Sequence, residues 1–337
     1  MSITATGVPA DTLDPTVPAP ATNVAEYGFE GRFEDWADDA RYFEYSKAAN
    51  PIGSGHTPKV PVVRFAPELY NDGPTRIVPL DLSQELGITS GAATSPGLLA
   101  SFVRIQAGER ISTSPNATSQ LYYVLHGGGF SAVNERLVQW EKGDFLTLPA
   151  GSRSTFHADS DTALYWVHDE PLLRYLGAKA TEPRFRATKF RRADAVAELA
   201  AIAARPGAND KSRVSVMLAN AEEEQTLTIT HVLWAMFGLL PAGQEQRPHR
   251  HQSVALDLIL DAQPGCYSLL GTRLDERGDI VDPIRVDWQA GGAFVTPPGM
   301  WHAHFNESGA PAHLIPVQDA GLQTYLRSLD IRFTNSR

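Results

Sequence analysis

Four of the ten histidines in this 337-residue chain fall in two His-x-His pairs, His249/His251 and His302/His304. Residues i and i+2 of a β-strand point to one face, so each pair can bring two imidazoles to a common point. Neutral imidazole is the commonest side-chain ligand of Fe, Zn, Cu, Ni and Mn. Three imidazoles on one side of an ion leave coordination positions open, which is the arrangement of a catalytic rather than a structural metal. His249, His251 and His302 are the expected ligands. A single His-Arg-His also fits a solvated basic edge; two pairs embedded in regular Gly/Pro spacing favour the metal.

Such a site needs strands to hold it, and the sequence supplies them. Helix-like text is confined to residues 33–49, residues 191–204 and a last short piece near residues 322–329. Between these run short, often alternating apolar segments bounded by Gly and Pro: LLASFVRI, QLYYVLHG, DFLTLPAG and TALYWVHD, then HVLWAMFGLLPAG, VALDLIL and AFVTPPG. That pattern predicts all-β sandwich or barrel units, with the alanine-rich helix near residue 200 as the join.

The punctuation occurs twice. In the first half Gly108 is followed after five residues by Ser114-Pro115-Asn116, and Gly143 after five residues by Pro149, Ala150 and Gly151, then by Ser154. In the second half Gly243 leads in the same way to His249-Arg250-His251, and Gly291 to Pro297, Pro298 and Gly299, then to His302 and Asn306. The spacing is repeated; the histidines are not.

Composition removes several function classes. Twenty-nine basic against thirty-nine acidic side chains give a net charge of −10 and a pI near 5.5, so no positive field exists for nucleic acid. No apolar run approaches the ~20 residues of a membrane span, and residues 1–30 read as a flexible arm without a signal-peptide pattern. The single cysteine, Cys266, forms neither an internal disulfide nor a cysteine zinc site, which points to the cytoplasm. The His126-Gly-Gly-Gly129 run has no G-x-S-x-G turn to accompany it and reads as a hairpin. There is no phosphate loop, G-x-G-x-x-G turn or H-E-x-x-H helix.

The pattern G-x5-H-x-H followed by G-x5-P-x-G-x2-H-x3-N resembles the two-part signature of the cupin superfamily. Gly243, His249, His251, Gly291, Pro297, Gly299, His302 and Asn306 carry it. The resemblance implies two tandem jelly-roll barrels, with an N-terminal cupin over residues 31–185 and a C-terminal cupin over residues 186–337. Ala255 and Leu256 stand where the family's glutamate ligand would fall, which points to a three-histidine subgroup.

The stretches THVLWAMFGLLPAGQEQRPHRHQSVALDLIL and TPPGMWHAHFN are similar to the gentisate 1,2-dioxygenase branch of bicupins, which includes salicylate and 1-hydroxy-2-naphthoate dioxygenases. That resemblance implies Fe(II), with Mn, Ni, Cu or Zn as alternatives, and O2-dependent, extradiol-type cleavage of a hydroxylated aromatic ring. It makes His304 either a group that handles the phenolic proton or a fourth ligand. Trp234 and Trp301 are candidates for the aromatic pocket, or plain core. It also implies a homodimer or homotetramer.

Two departures alter the expectation. The branch carries its metal in the first cupin, whereas here Ser114, Asn116 and Ser154, poor ligands, stand at those positions and leave the first barrel without metal. An arginine that helps hold the substrate carboxylate is replaced by Asp257, with Arg213 as another candidate substrate-side arginine. If Asp257 faces the cavity it disfavours a carboxylate and favours an amine, amide or neutral substituent; otherwise it is an ordinary ion-pair partner. Two other readings stay open: a three-histidine cupin oxidising, isomerising or hydrolysing another small molecule, and a bicupin that binds without catalysis.

Overall fold

The computed structural model describes residues 36–207 and 214–334; the arm expected over residues 1–30 and Arg213 lie outside them. The chain divides into two compact units, residues 1–50 and 51–337. In the first unit the described residues form a 3-10 turn, Trp36–Asp39, and a single helical turn, α1 (Tyr45–Ala48). The helix expected over residues 33–49 is therefore broken. Neither piece has a buried residue, so no packed face offsets the cost of helix nucleation.

The second unit is all-β, as the alternating segments predict. Its first eleven strands are β1 (Arg64–Phe65), β2 (Arg76–Pro79), β3 (Leu99–Ile105), β4 (Arg110–Thr113), β5 (Ser119–His126), β6 (Gly128–Val133), β7 (Arg136–Glu141), β8 (Phe145–Pro149), β9 (Ser154–Ala158), β10 (Thr162–His168) and β11 (Thr188–Phe190). The others are β12 (Val214–Leu218), β13 (Trp234–Leu240), β14 (Glu245–Arg250), β15 (Ala255–Asp261), β16 (Cys266–Gly271), β17 (Ile284–Asp287), β18 (Ala293–Thr296), β19 (Trp301–Asn306), β20 (Ala312–Gln318) and β21 (Arg332–Phe333). Helices α2 (Glu68–Asn71), α3 (Glu170–Leu176), α4 (Arg192–Ala203) and α5 (Ala320–Tyr325) lie between them.

In the first barrel a six-stranded sheet, β11-β8-β5-β10-β3-β2, packs on the four-stranded β4-β9-β6-β7. In the second, β1-β18-β15-β20-β13-β12 packs on β17-β16-β19-β14-β21. The two six-stranded sheets face each other. Val103, Tyr122, Leu164 and Trp166 fill the first barrel, while Phe102, Tyr123 and Tyr165 alternate onto the opposite face and join Leu256, Leu258 and Ile315 in a shared core between barrels. With both faces covered, β3 and β10 are buried along their whole length and mostly apolar, whereas the outer β6 and β9 alternate.

Two short strands cross a division of the chain at residue 185. β11 closes the edge of the first barrel's sheet beside β8, and β1 closes the second barrel's sheet beside β18. Each barrel thus borrows an edge strand from the other half of the chain, which covers an otherwise open ladder.

The duplicated spacing belongs to the backbone. Gly108, Gly143 and Gly151 of the first barrel have φ of +79°, +91° and +72°, and Gly243, Gly291 and Gly299 of the second have +70°, +80° and +72°. Only glycine enters that region without strain, so these six positions fix the turns that start and end the site strands.

Helix α4 matches the expected residues 191–204, and α5 begins two residues before the expected last helix. Helix α3 was not expected. Pro171 in its first turn starts it and Gly177, at φ +63°, stops it. The carboxylates preceding α3 and α5 act alike: Asp169 accepts from the Thr118 and Ser119 amides at 2.8 and 2.9 Å, and Asp319 from the Val254 amide at 2.9 Å. Burial raises both carboxyls, Asp319 to about 6. Among the described residues no helix is long and apolar enough to cross a membrane.

Candidate metal centre

Strand β14 carries His249, and His251 follows it; β19 carries His302 and His304. His249 pairs directly with His302 across the antiparallel ladder. The ladder is irregular just before that pair, where three steps on β14, from Gln246 to His249, match two on β19, from His304 to His302. This is a β-bulge containing Pro248, which has no amide to lose. It re-aims His249 toward the barrel interior.

His249, His251 and His302 are buried, and each offers a ring nitrogen within 4.8 Å of those of the other two. The His249 and His302 ring centroids are 4.0 Å apart and those of His251 and His302 4.9 Å. Each ring is held from behind by a backbone carbonyl. Nδ1 lies 3.2 Å from Arg247 O for His249, 2.8 Å from Ser253 O for His251 and 3.0 Å from Met300 O for His302. A carbonyl only accepts, so each Nδ1 carries the proton and each Nε2 keeps the lone pair that a metal requires. Ser253 adds to this at His251, its Oγ lying 3.0 Å from Nδ1 and donating to Gln318 Oε1 at 2.8 Å. Three neutral, oriented, closely grouped imidazoles fit a transition-metal ion.

His304 is buried beside them, its ring centroid 5.7 Å from that of His302, but the three-nitrogen group does not include it. Its Nδ1 meets a hydroxyl instead of a carbonyl: Ser268 Oγ lies 2.7 Å away and accepts the Trp288 indole N–H at 2.8 Å. Ser268 and Trp288 thus hold the His304 ring through its Nδ1, with a hydroxyl that can both accept and donate in place of a carbonyl that only accepts. Ser268, Trp288 and Ser253 escaped the sequence reading; that Ser268 faces His304 across β16 and β19 is a matter of register.

Asp257 is buried on β15 and shares its inward face with Ile259, a member of the second barrel's core. Thr296 donates to its Oδ2 at 2.7 Å. The Asp257 side of β15 is that of the second barrel's interior. Trp234 lies on the inner face of β13, in register with Gln318. Trp301 is not brought to the imidazoles. It alternates to the outer face of β19, where the Arg250 guanidinium lies 5.0 Å from its ring centroid, because odd and even residues of that strand part company and the histidines take the inner positions.

Counting residues from Gly108 aligns Ser114 with His249, but the ladder pairs Thr113 with Ser154 in the place where His249 pairs with His302. The first barrel lacks the bulge, which shifts the equivalence by one residue. There Thr113 Oγ1 lies 2.7 Å from Ser154 Oγ and 2.8 Å from the Tyr122 hydroxyl, and Tyr122 stacks on Trp166 at 5.3 Å. Asn116 is spent on the Ala178 carbonyl and the Ala180 amide.

Fold and donor set together describe a two-barrel, cupin-like fold with a three-histidine group in its C-terminal barrel. The AraC-like ligand binding domain family matches residues 109–259, from just before β4 in the first barrel into β15 of the second. The chain resembles the gentisate and salicylate 1,2-dioxygenase branch. It is 33% identical over 95 residues to a 5-nitrosalicylic acid 1,2-dioxygenase from Bradyrhizobium sp, covering 28% of this chain and 46% of that protein. It is 34% identical over 61 residues to a 5-aminosalicylate 1,2-dioxygenase from Comamonas sp, covering 18% and 16% respectively. The matches thus span less than half the length of either relative. The structure of salicylate 1,2-dioxygenase from Pseudoaminobacter salicylatoxidans in adducts with gentisate superposes with a TM-score of 0.65 at 13% identity, over 97% of this chain and 98% of that one. That likeness is one of fold.

Proposed function

We propose that the protein is an Fe(II)-dependent, extradiol-type dioxygenase that cleaves the ring of a hydroxylated, amino-substituted aromatic compound with O2. The observation that carries this reading is a donor set of three neutral imidazoles, with no carboxylate in the group, beside a fourth imidazole held by a hydroxyl. Bound iron would supply open positions for oxygen donors and the one-electron chemistry that lets O2 react with an aromatic ring. The names of the related proteins support the same chemistry.

The chain's own residues divide the remaining work. The Arg247, Ser253 and Met300 carbonyls hold the three rings in one tautomer, so nothing need rotate when metal enters. Ser268, itself bonded to Trp288, holds the His304 ring through Nδ1, and the imidazole exchanges a proton with the substrate's phenolic oxygen. Asp257, backed by Thr296, accepts a hydrogen bond from an amine or hydroxyl on the ring and repels a carboxylate placed against it. Trp234 lines the ring pocket from the inner face of β13, and Arg213 is the candidate for any carboxylate the substrate does carry. The apolar lining around Trp288 and Phe294 excludes water. The buried free thiol of Cys266 suits the cytoplasm, and we read the protein as a homodimer or homotetramer there.

The test begins with metal analysis of protein purified without added ions, followed by anaerobic Fe(II) loading and an oxygen-electrode screen of amino- and hydroxy-substituted phenols and benzoates. The expected result is one O2 consumed per ring lost, with an Asp257→Asn variant shifted toward carboxylate-bearing substrates by about tenfold in kcat/KM. Retention of another metal with no O2 uptake from any compound overturns it. The match to a ligand-binding domain favours one other reading, a bicupin that binds without turnover, which tight binding with no product after long incubation would support.

A further inference from the structure

A cavity of about 340 Å³ opens between the two barrels. Its floor is aromatic and buried: Tyr123 and Phe145 from the first barrel's six-stranded sheet, Phe237 from the second's. At its mouth stand Lys142 and Arg192, and neither makes an ion pair with a described residue. Asp261, the one carboxylate of the lining, is engaged: it accepts from the His313 amide at 2.9 Å and lies 2.9 Å from His313 Nδ1.

The informative group is Tyr123. It is 7% exposed, yet its hydroxyl has no hydrogen bond to a described residue and it lines this cavity. The oxygen opens onto the cavity, so a ligand there can accept its hydrogen bond. Burial holds the phenol protonated, so it is a donor facing a space edged by two cations. His313, stacked on Phe237 with ring centroids 5.7 Å apart, completes a flat wall.

We infer that this cavity is a binding site for a small planar aromatic carboxylate. The ring lies against Phe145 and Phe237, the carboxylate takes the Tyr123 hydrogen bond, and Arg192 and Lys142 neutralise its charge. The site is separate from the metal centre. His313 and Gln318 stand at opposite ends of β20, five residues or roughly 17 Å apart, and Gln318 is the residue that braces Ser253 behind His251.

The probe is 4-fluorobenzoate, titrated into full-length, metal-free protein and followed by fluorine NMR, with 4-fluorobenzamide and acetate as controls. Saturable binding is expected, weakened about tenfold in Arg192→Gln, about fivefold in Tyr123→Phe and abolished in Val196→Trp, which fills the cavity from the exposed side of α4. His251→Ala leaves it unchanged. The benzamide tests the charge and acetate the ring; both bind at least tenfold more weakly. Absence of saturation below roughly 10 mM overturns the inference, as does an affinity that Arg192→Gln and Val196→Trp leave unmoved. Equal binding of acetate reduces the site to an anion patch and overturns the ligand class.

Discussion

The two barrels share a frame and differ in what the frame holds. In the N-terminal barrel the ladder position Thr113/Ser154 carries hydroxyls tied to Tyr122, and the interior behind them is filled by stacked Tyr122 and Trp166. In the C-terminal barrel the same position carries His249 and His302, and the strand bulges at Pro248 so that both rings converge. A site therefore requires more than ligands in the right places. It requires space in front of them, acceptors behind them and an extra residue to turn one of them inward.

The largest effect expected from breaking that contrast is at the imidazoles themselves. His302→Ala should lose more than roughly a hundredfold in metal affinity, beyond what removal of a supporting residue costs, as read by metal analysis after dialysis. The reverse experiment, Thr113→His with Ser154→His, should create no second metal equivalent. Tyr122 and Trp166 already occupy the volume, so the added rings should destabilise the barrel by about 1–3 kcal/mol in denaturant melts.

A third comparison sets His168 against Gln318, which occupy matching ends of β10 and β20 just before Asp169 and Asp319. Burial lowers the His168 imidazole to about 3. The unfolded chain takes up its proton below the ordinary value near 6.5 while the folded chain does not. Stability from this group is therefore full above that value and is lost as pH falls toward 3. His168→Gln should remove this loss, narrowing the stability drop between pH 7 and pH 4.5 by roughly 2–3 kcal/mol. The check is a pair of urea midpoints for each protein.

The smallest of these effects concerns the support behind one ligand. Ser253→Ala removes the hydroxyl that joins His251 to Gln318 but leaves the Ser253 carbonyl in place. Metal affinity should fall by about tenfold, with little change in global stability. The equivalent support has no counterpart to remove in the first barrel, where Asn116 is bound to residues 178 and 180.

The strands, the duplicated turns and the two His-x-His pairs were legible because each depends on neighbours in the chain. Alternation marks a half-buried strand, a glycine with positive φ marks a turn, and an i, i+2 spacing places two rings on one side. The broken helix near residue 40, the unexpected α3, the outward face of Trp301 and the exchanged strands β1 and β11 were not legible in the same way. Nothing local to Arg64–Phe65 says that it will pair with β18, more than two hundred residues away.

By itself, then, the sequence determined that there would be two similar barrels, that only the second would carry histidines at the shared positions, and that the chain would be acidic. Tertiary structure decided which of the four imidazoles form a group and which one is held by a hydroxyl. It also decided that Asp257 faces inward, and that the first barrel is filled. The physical reason is that side-chain direction in a strand follows from register, and a single inserted residue, here at Pro248, reverses it; register is fixed by pairing between distant segments and by the packing that their faces permit.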